Sequence, residues 1–289
     1  RYTTVFIIFL YIVGKAIFLD KSYNNCVSPH SSIELSLRQP LNTIIYPSNY
    51  SYCNQYKYTN DIIDPLICEV NDYVSVYTPV DQTDAMFITT RYSTIQEIKA
   101  CTNNSLPCKD VWITDKNSSI DSEKYYVAAI EDYTIKFSHF YQARQFYIKN
   151  KNPKYSQSGN TMSGKLVDIH GNTIMKYDKD NTDIMPISLV LKAANVNLND
   201  LTDAPGSEGE SMRYAGVALF FAIDYSNEYT KEVEYTYQVI RVPTMEYKVV
   251  ISTFIEDNIR LSTNKHGIKL FFIYTGAICK FDFQLLLIQ

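Results

Sequence analysis

Apolar stretches stand near both ends of the sequence, and shorter ones alternate with polar segments between them. The last stretch begins at Gly267, is rich in β-branched and aromatic residues, and continues after Lys280 into Phe283 to Ile288. This composition predicts a strand that carries the chain to a membrane or to a buried seam. Tyr214 to Asn227 is similarly apolar and predicts another buried strand.

The interior of the chain shows three further periodic patterns and one polar loop. Ala128 to Phe137 and Tyr235 to Val242 alternate as strands do, the latter at a surface, and Met245 to Phe254 is apolar enough to predict a buried strand. Met185 to Leu201 carries apolar residues at helical spacing and predicts a short helix. Lys149 to Lys165 is polar and rich in Gly, Ser and Asn, which predicts a long exposed loop.

The composition favours a mainly β fold. Among 289 residues there are 25 Tyr and 14 Phe but one Trp, and aromatic residues of this kind are typical of half-buried strands. The formal net charge of -4 provides no overall basic field. We therefore do not expect the chain to bind nucleic acid.

Val5 to Leu19 is apolar apart from Tyr11, Gly14 and Lys15, and a helix of this length would span about 22 Å. Membrane helices usually need about 20 residues, which an extension to Tyr2 would approach. A signal peptide is the alternative interpretation. No small-x-small cleavage motif follows before residue 24, so we favour a first membrane helix.

Six cysteines and three Asn-x-Ser sequons indicate an oxidising, extracytoplasmic compartment. The short loop from Cys101 to Cys108 predicts one disulfide, and Cys53 with Cys68 a second. Cys26 is then left over, and we interpret it as a buried or reduced thiol. The predicted glycosylation sites are Asn49, Asn103 and Asn117.

Two motifs mimic known ligand sites but lack essential parts. Gly159 to Lys165 has the spacing of a phosphate-binding P-loop, yet Leu166 stands where Ser or Thr would bind Mg²⁺ and no apolar strand precedes it. Asp178, Asp180 and Asp183 lack the glycine turn and terminal glutamate of an EF-hand. We interpret them as a solvated acidic turn.

No constellation in the sequence predicts an enzyme or a metal site. No Ser or Cys lies beside a His at catalytic spacing, and no carboxylate pair indicates an active site. The four histidines are isolated from one another, and zinc ligands are expected in groups: His30, His139, His170 and His266.

Two blocks of residues resemble the P2X receptors, the family of ATP-gated cation channels. The first matches the end of the family's ectodomain at Arg260, Gly267, Ile268, Lys280, Phe281 and Asp282. The second matches at Asp72, Tyr73, Val74, Pro79, Phe87, Ile88 and Thr89. The resemblance covers nearly the whole chain and is weakest at 40–68, 105–125 and 225–245.

The resemblance implies a mainly β membrane protein that assembles as a homotrimer in a plasma or organellar membrane. Residues 1–20 would form the first transmembrane helix and 21–280 a β-rich extracellular or luminal ectodomain carrying N-glycans. Within it, 100–125 would be a reduced head insertion and 195–212 a flap-like loop. Residues 281–289 would begin a second transmembrane helix.

The resemblance also implies a ligand site for ATP, with no other cofactor. In the family, cations from neighbouring subunits surround the triphosphate and a threonine contacts the adenine. The corresponding residues here are Arg38, Thr134 and Lys248. The family's final lysine is replaced by Asn264, and the neighbouring Lys265, which alternation places on the opposite face of the strand, is the remaining candidate ligand residue.

These departures leave two hypotheses. The chain is either a subunit of a trimeric ligand-gated cation channel with a partly degraded ATP site, or a surface glycoprotein that uses the same fold as a structural or filament-forming unit. Glu246, which replaces a polar amide and would repel phosphate, favours the second hypothesis. Nucleotide binding would distinguish them.

Overall fold

The computed structural model describes residues 2–14, 24–40, 44–54, 56–59, 62–65, 67–78, 84–100, 111–116, 118, 124–146, 155–227 and 232–281. The α-helices are α1 Tyr2–Gly14, α2 Tyr73–Val76, α3 Ile187–Ala193 and α4 Met212–Ala215. The strands of the first half are β1 Asn24–Val27, β2 His30–Arg38, β3 Tyr56–Thr59, β4 Ile62–Pro65, β5 Ile67–Glu69, β6 Tyr77–Thr78, β7 Ala85–Lys99, β8 Trp112–Thr114, β9 Lys124–Val127 and β10 Thr134–Gln142. The strands of the second half are β11 Ser156–Ser158, β12 Gly164–Val167, β13 Thr173–Tyr177, β14 Asp183–Pro186, β15 Val217–Ser226, β16 Glu234–Arg241, β17 Lys248–Glu256 and β18 Ile259–Phe281.

The long strand β18 is the element to which most others attach. It runs for 23 residues, or about 75 Å at the usual rise per residue. It pairs with β7 and β17 in its first part, with β15 in its middle, and with β1 near its end. The predicted strand from Gly267 is confirmed, and it begins eight residues earlier, at Ile259, because β7 and β17 supply partners there.

Two sheets enclose the main core. The larger sheet has the strand order β13-β12-β16-β15-β18-β7-β9-β5, and the smaller places β10 between β11 and β14, with β2 also paired to β10. Aromatic rings fill the space between the sheets. Phe137 of β10 stacks on Phe221 of β15 at 4.9 Å and meets Phe272 of β18 and Tyr237 of β16 edge-on or tilted. The predominance of tyrosine and phenylalanine in the composition thus reflects this core.

Two disulfides lie in the described part of the chain. The predicted bond between Cys53 and Cys68 is confirmed. The interpretation of Cys26 as a leftover thiol is wrong, because β1 pairs with the end of β18 and places Cys26 directly opposite Cys279, to which it is bonded. The predicted pair Cys101 and Cys108 lies outside the described residues.

The N-terminal apolar stretch forms α1, which is 13 residues long. Among the described residues, no helix combines the length and the apolar character that a membrane crossing requires. The predicted start of a second helix, at 281–289, falls almost entirely outside the described residues, apart from Phe281 at the end of β18.

Three local predictions are only partly right. The helix predicted over Met185 to Leu201 is limited to α3, because Pro186 holds the residue before it extended and Asn195 adopts a left-handed φ of 53°. The loop predicted over 149–165 contains β11 and the buried residue Met162. The strand predicted over 128–137 begins only at Thr134, after a short 3-10 turn.

The prediction that Met245 to Phe254 is a buried strand is wrong as to burial. The strand exists as β17, but its residues from Val250 to Glu256 are exposed. β17 pairs only with the part of β18 between Ile259 and His266, whereas the aromatic core lies further along β18. Apolar composition therefore predicted the strand but not the layer that would cover it.

A polar cluster lies inside this aromatic core. Tyr235 and Tyr237 each donate a hydrogen bond to Asp183 at 2.6 Å, and Nδ1 of His139 lies 2.8 Å from the hydroxyl of Tyr225. Burial raises the pKa of Asp183 and lowers the pKa of His139 to about 4, so the histidine is neutral. The two hydroxyl donors compensate for the desolvation of the carboxylate and tie the two sheets together.

Candidate ligand site

Two of the predicted ligand residues are neighbours across strands β2 and β10. Arg38 ends β2, Thr134 begins β10, and the register makes them direct partners although 96 positions separate them in the sequence. Directly opposed residues share a sheet face and have Cβ atoms about 5 Å apart. Arg38 is exposed, whereas the hydroxyl of Thr134 is buried and has no hydrogen-bond partner among the described residues. The pair therefore presents a cation beside an unused hydroxyl.

An open cavity of about 430 Å³ lies beside α3. Its walls include Glu131, Ser188 and Lys192. Ser188 lies two residues after Pro186, which is the β14 partner of Thr134. Arg38 and Thr134 themselves do not line the cavity.

The other two predicted residues lie on opposite faces of the larger sheet. Lys248 is the cross-strand partner of His266, and Lys265 is one position earlier on β18, so alternation turns the two lysines apart. Lys248 is exposed. Lys265 donates to the carbonyl oxygen of Ser75 at 3.0 Å and to the hydroxyl of Thr78 at 3.2 Å, and burial lowers its pKa. The predicted opposite orientation of Lys265 is confirmed.

The face that carries Lys248 also carries a carboxylate and an amide. Glu246 accepts a hydrogen bond from Ser207 at 2.6 Å, which attaches it to the loop predicted as flap-like. Asn264 is the next residue on the same face of β18 and is paired with Val250 of β17. Glu246 lowers the positive potential around Lys248, as predicted from the sequence.

Within one chain, the four residues lie in two parts of the fold, with Arg38 and Thr134 in one and Lys248 and Lys265 in the other. No hydrogen bond or ion pair within the described residues joins Arg38 or Thr134 to Lys248 or Lys265. Arg38 and Thr134 lie on the smaller sheet, whereas Lys248 and Lys265 face opposite sides of the larger one.

Sequence reasoning did not identify Arg91 and Tyr214 as neighbours of this site. Arg91 is 4% exposed, its guanidinium carbon lies 3.8 Å from the centre of the Tyr214 ring, and its Nε donates to the Tyr214 carbonyl at 3.0 Å. A lone arginine within the apolar strand β7 was the available signal. Its position two strands from Lys248, with His266 between them, depends on strand register, which the sequence does not reveal.

Of the three predicted glycosylation sites, one lies in the described part of the chain. Asn49 is exposed at the end of a short 3-10 helix, Pro47–Asn49, where a glycan would meet solvent. Asn103 and Asn117 lie outside the described residues. In the parts of the chain that are described, no group of three or more His, Cys, Asp or Glu side chains is arranged to hold a metal ion.

Comparison with known structures identifies the fold. The chain is similar to the crystal structure of the chicken ATP-gated P2X7 receptor channel with the competitive antagonist TNP-ATP, with a TM-score of 0.56 at 12% identity, covering 99% of this chain and 91% of that one. It is also similar to a P2X receptor of the Gulf Coast tick with ATP and Zn²⁺, with a TM-score of 0.55 at 12% identity, covering 98% and 92%. At these identities the likeness establishes the fold alone.

Comparison with known sequences identifies the family, although no family model matches the chain. The chain is 31% identical over 293 residues to P2X receptor E of Dictyostelium discoideum, covering 97% of this chain and 71% of the relative. It is 30% identical over 284 residues to P2X receptor D of the same organism, covering 93% and 64%. The chain therefore belongs to the P2X receptor family, whose members are ligand-gated channels and not enzymes.

Proposed function

We propose that the chain is one subunit of a homotrimeric cation channel that opens when ATP, or a similar nucleotide, binds between subunits. The observation that carries this proposal is the division of the predicted ligand residues into two groups. Arg38 and Thr134 lie at the end of one sheet, and Lys248 lies on the other. A neighbouring copy in a closed ring would bring the second group opposite the first.

The chemistry of the two groups suits a nucleotide polyphosphate. Linked phosphates carry about four negative charges, and each charge-assisted hydrogen bond contributes roughly 1.5–3 kcal/mol. Arg38 and Lys248 are exposed cations that can donate such bonds, and the buried Thr134 hydroxyl, which has no partner among the described residues, is the proposed contact for the base. Asn264 and Glu246 reduce the positive charge, so we propose a partly degraded site with low affinity.

The proposal includes a location and a domain arrangement. Residues 21–280 would form the extracellular or luminal part, with glycans at Asn49, Asn103 and Asn117, and residues 1–20 and 281–289 would belong to the membrane segments. The Cys26–Cys279 disulfide supports this arrangement, because it ties together two strands, β1 and the end of β18, that lie close in sequence to the two segments. The membrane is that of the cell surface or of an organelle with an oxidising lumen.

A second candidate function is a structural surface glycoprotein that forms filaments or a coat. It is favoured by β17, on which apolar side chains such as Val250, Phe254 and Ile255 are 53%, 62% and 54% exposed. Exposed apolar surface of this kind is typical of contacts between proteins. This candidate predicts open-ended assemblies of the chain and no response to nucleotide.

Titration of the purified full-length protein with ATP tests the channel proposal. We expect saturable binding, and we expect Arg38→Ala to weaken it by roughly 10- to 100-fold, because one charge-assisted contact is lost. Arg144→Ala is the matched control, since Arg144 is also exposed but follows the opposite end of β10. Failure of the unaltered protein to bind ATP at millimolar concentration would contradict the proposal and leave the structural candidate.

A further inference from the structure

Strand register places several basic residues side by side on one face of the larger sheet. Lys248 of β17 is paired with His266 of β18, which is paired with Arg91 of β7, which is paired with Tyr126 of β9. Directly opposed residues share a face in each of these antiparallel pairs. Four strands thus contribute to one continuous row.

A second row runs beside the first on the same face. The residues of this second row lie two positions away from those of the first on each strand. Val250 is paired with Asn264, Asn264 with Ser93, and Ser93 with Lys124. Residues two apart on a strand point to the same side. Asn264 therefore lies in the middle of a surface bounded by Lys248 at one end and Lys124 at the other. Both lysines are exposed.

Tyr214 stands over the middle of these rows and contacts the basic side chains directly. Its ring lies 3.8 Å from the guanidinium carbon of Arg91, and its hydroxyl accepts a hydrogen bond from Lys124 Nζ at 2.9 Å. Its ring centre is 6.4 Å from that of His266. These contacts agree with the shared face that the register predicts.

The direct contacts of Arg91 and Lys124 among the described residues are to neutral groups. Arg91 donates to a backbone carbonyl and lies against a ring face, and Lys124 donates to a phenol hydroxyl, all of which are neutral partners. Glu210 and Glu246 lie near enough to act on Arg91 through space. His266 contributes no charge at neutral pH, because burial and the nearby Arg91 lower its pKa. Among the described residues of this face, three cations, Arg91, Lys124 and Lys248, therefore stand against two carboxylates.

We propose that Arg91, Lys124 and Lys248 form an anion-binding face around Tyr214 that takes the phosphates of a polyphosphate ligand, in place of the lysine that Asn264 replaces. The proposal rests on the proposed function, since it assigns further residues to the same nucleotide site. Lys124 and Lys248 would contact the phosphates, and Arg91 beneath Tyr214 would supply long-range attraction. None of these three roles requires the residue at position 264 to be charged.

The same geometry connects the face to the flap-like loop. Tyr214 belongs to α4, whose first turn is capped by Ser211, and Ser211 forms a bridge with Leu201 across the loop. Ser207 of this loop holds Glu246. An anion that displaced Lys124 from the Tyr214 hydroxyl would therefore act next to the end of the loop that Ser211 closes.

Binding of two probes by the full-length protein tests this proposal. We expect Lys124→Gln to weaken the binding of both ATP and inorganic tripolyphosphate by roughly tenfold, because the lost contact is to phosphate and not to the base. Lys176→Gln is the matched control, since Lys176 is exposed on β13 at the far edge of the same sheet and is expected to change neither affinity. Arg91→Lys, which keeps the buried charge, is expected to preserve most of the binding.

The outcomes separate this proposal from the proposed function. If Arg38→Ala weakens ATP binding while Lys124→Gln leaves both probes unaffected, the anion-binding face is overturned and the nucleotide site stands. If the unaltered protein binds tripolyphosphate but not ATP, and Lys124→Gln weakens that binding, the face is supported and nucleotide gating is not. If Lys124→Gln weakens ATP binding alone, recognition of phosphate by this face is overturned.

Discussion

Replacement of Gly276 by alanine is expected to lower the free energy of unfolding by more than about 4 kcal/mol. Gly276 has φ of 100°, and a Cβ built there would lie 2.1 Å from the carbonyl oxygen and 2.7 Å from the nitrogen of Tyr225. These atoms belong to β15, which is paired with β18 over ten residues and cannot move without breaking that pairing. Backbone strain of about 1–3 kcal/mol adds to the clash, and together they would exceed about 4 kcal/mol.

Urea denaturation followed by circular dichroism measures this effect, and Gly209→Ala provides its control. Gly209 also has a left-handed φ, of 84°, but nothing lies within 4 Å of the position that a Cβ would occupy. This substitution should therefore cost only about 1 kcal/mol, from backbone strain alone. Equal losses in the two variants would contradict the close approach of β15 to β18 at Gly276.

Removal of the Cys26–Cys279 disulfide is expected to destabilise the protein more than removal of Cys53–Cys68. The two bonds close loops of 253 and 15 residues. On the chain-entropy model, the corresponding contributions to the free energy of unfolding are about 5.5 and about 3 kcal/mol. The longer loop constrains nearly the whole unfolded chain, because it joins β1 to the end of β18.

Paired Cys→Ser variants compared by urea denaturation check this order. Each variant replaces both partners, so that no free thiol remains to form a wrong bond. The double variant with Cys53→Ser and Cys68→Ser is the control, because it also removes one disulfide but opens only the short loop. A larger loss in this short-loop variant would show that local strain or packing outweighs loop closure, and would contradict the expected order.

The sequence allowed prediction of the elements whose signal is local. The run of β-branched and aromatic residues after Gly267 predicted β18, and strand alternation predicted that Lys265 faces away from the side of the strand that carries Asn264. The short separation of Cys53 and Cys68 favoured their bond. Each of these inferences depends only on residues that lie close together in the sequence.

Features that depend on pairing between distant segments were not predictable. The bond between Cys26 and Cys279 requires β1 to align with the end of β18, which no local pattern specifies. The neighbourhood of Arg91, Lys124 and Lys248 likewise requires three registers at once. The exposure of β17 was missed because its apolar composition does not reveal whether another layer covers it.

We propose that nucleotide binding between copies of this chain opens a cation pathway. Current recordings from membranes that contain the full-length protein test it most directly. We predict a cation current evoked by ATP in the high micromolar to millimolar regime, shifted to roughly 10- to 100-fold higher ATP by Arg38→Ala. Protein that reaches the membrane as trimers but carries no ATP-evoked current at any concentration would contradict the account.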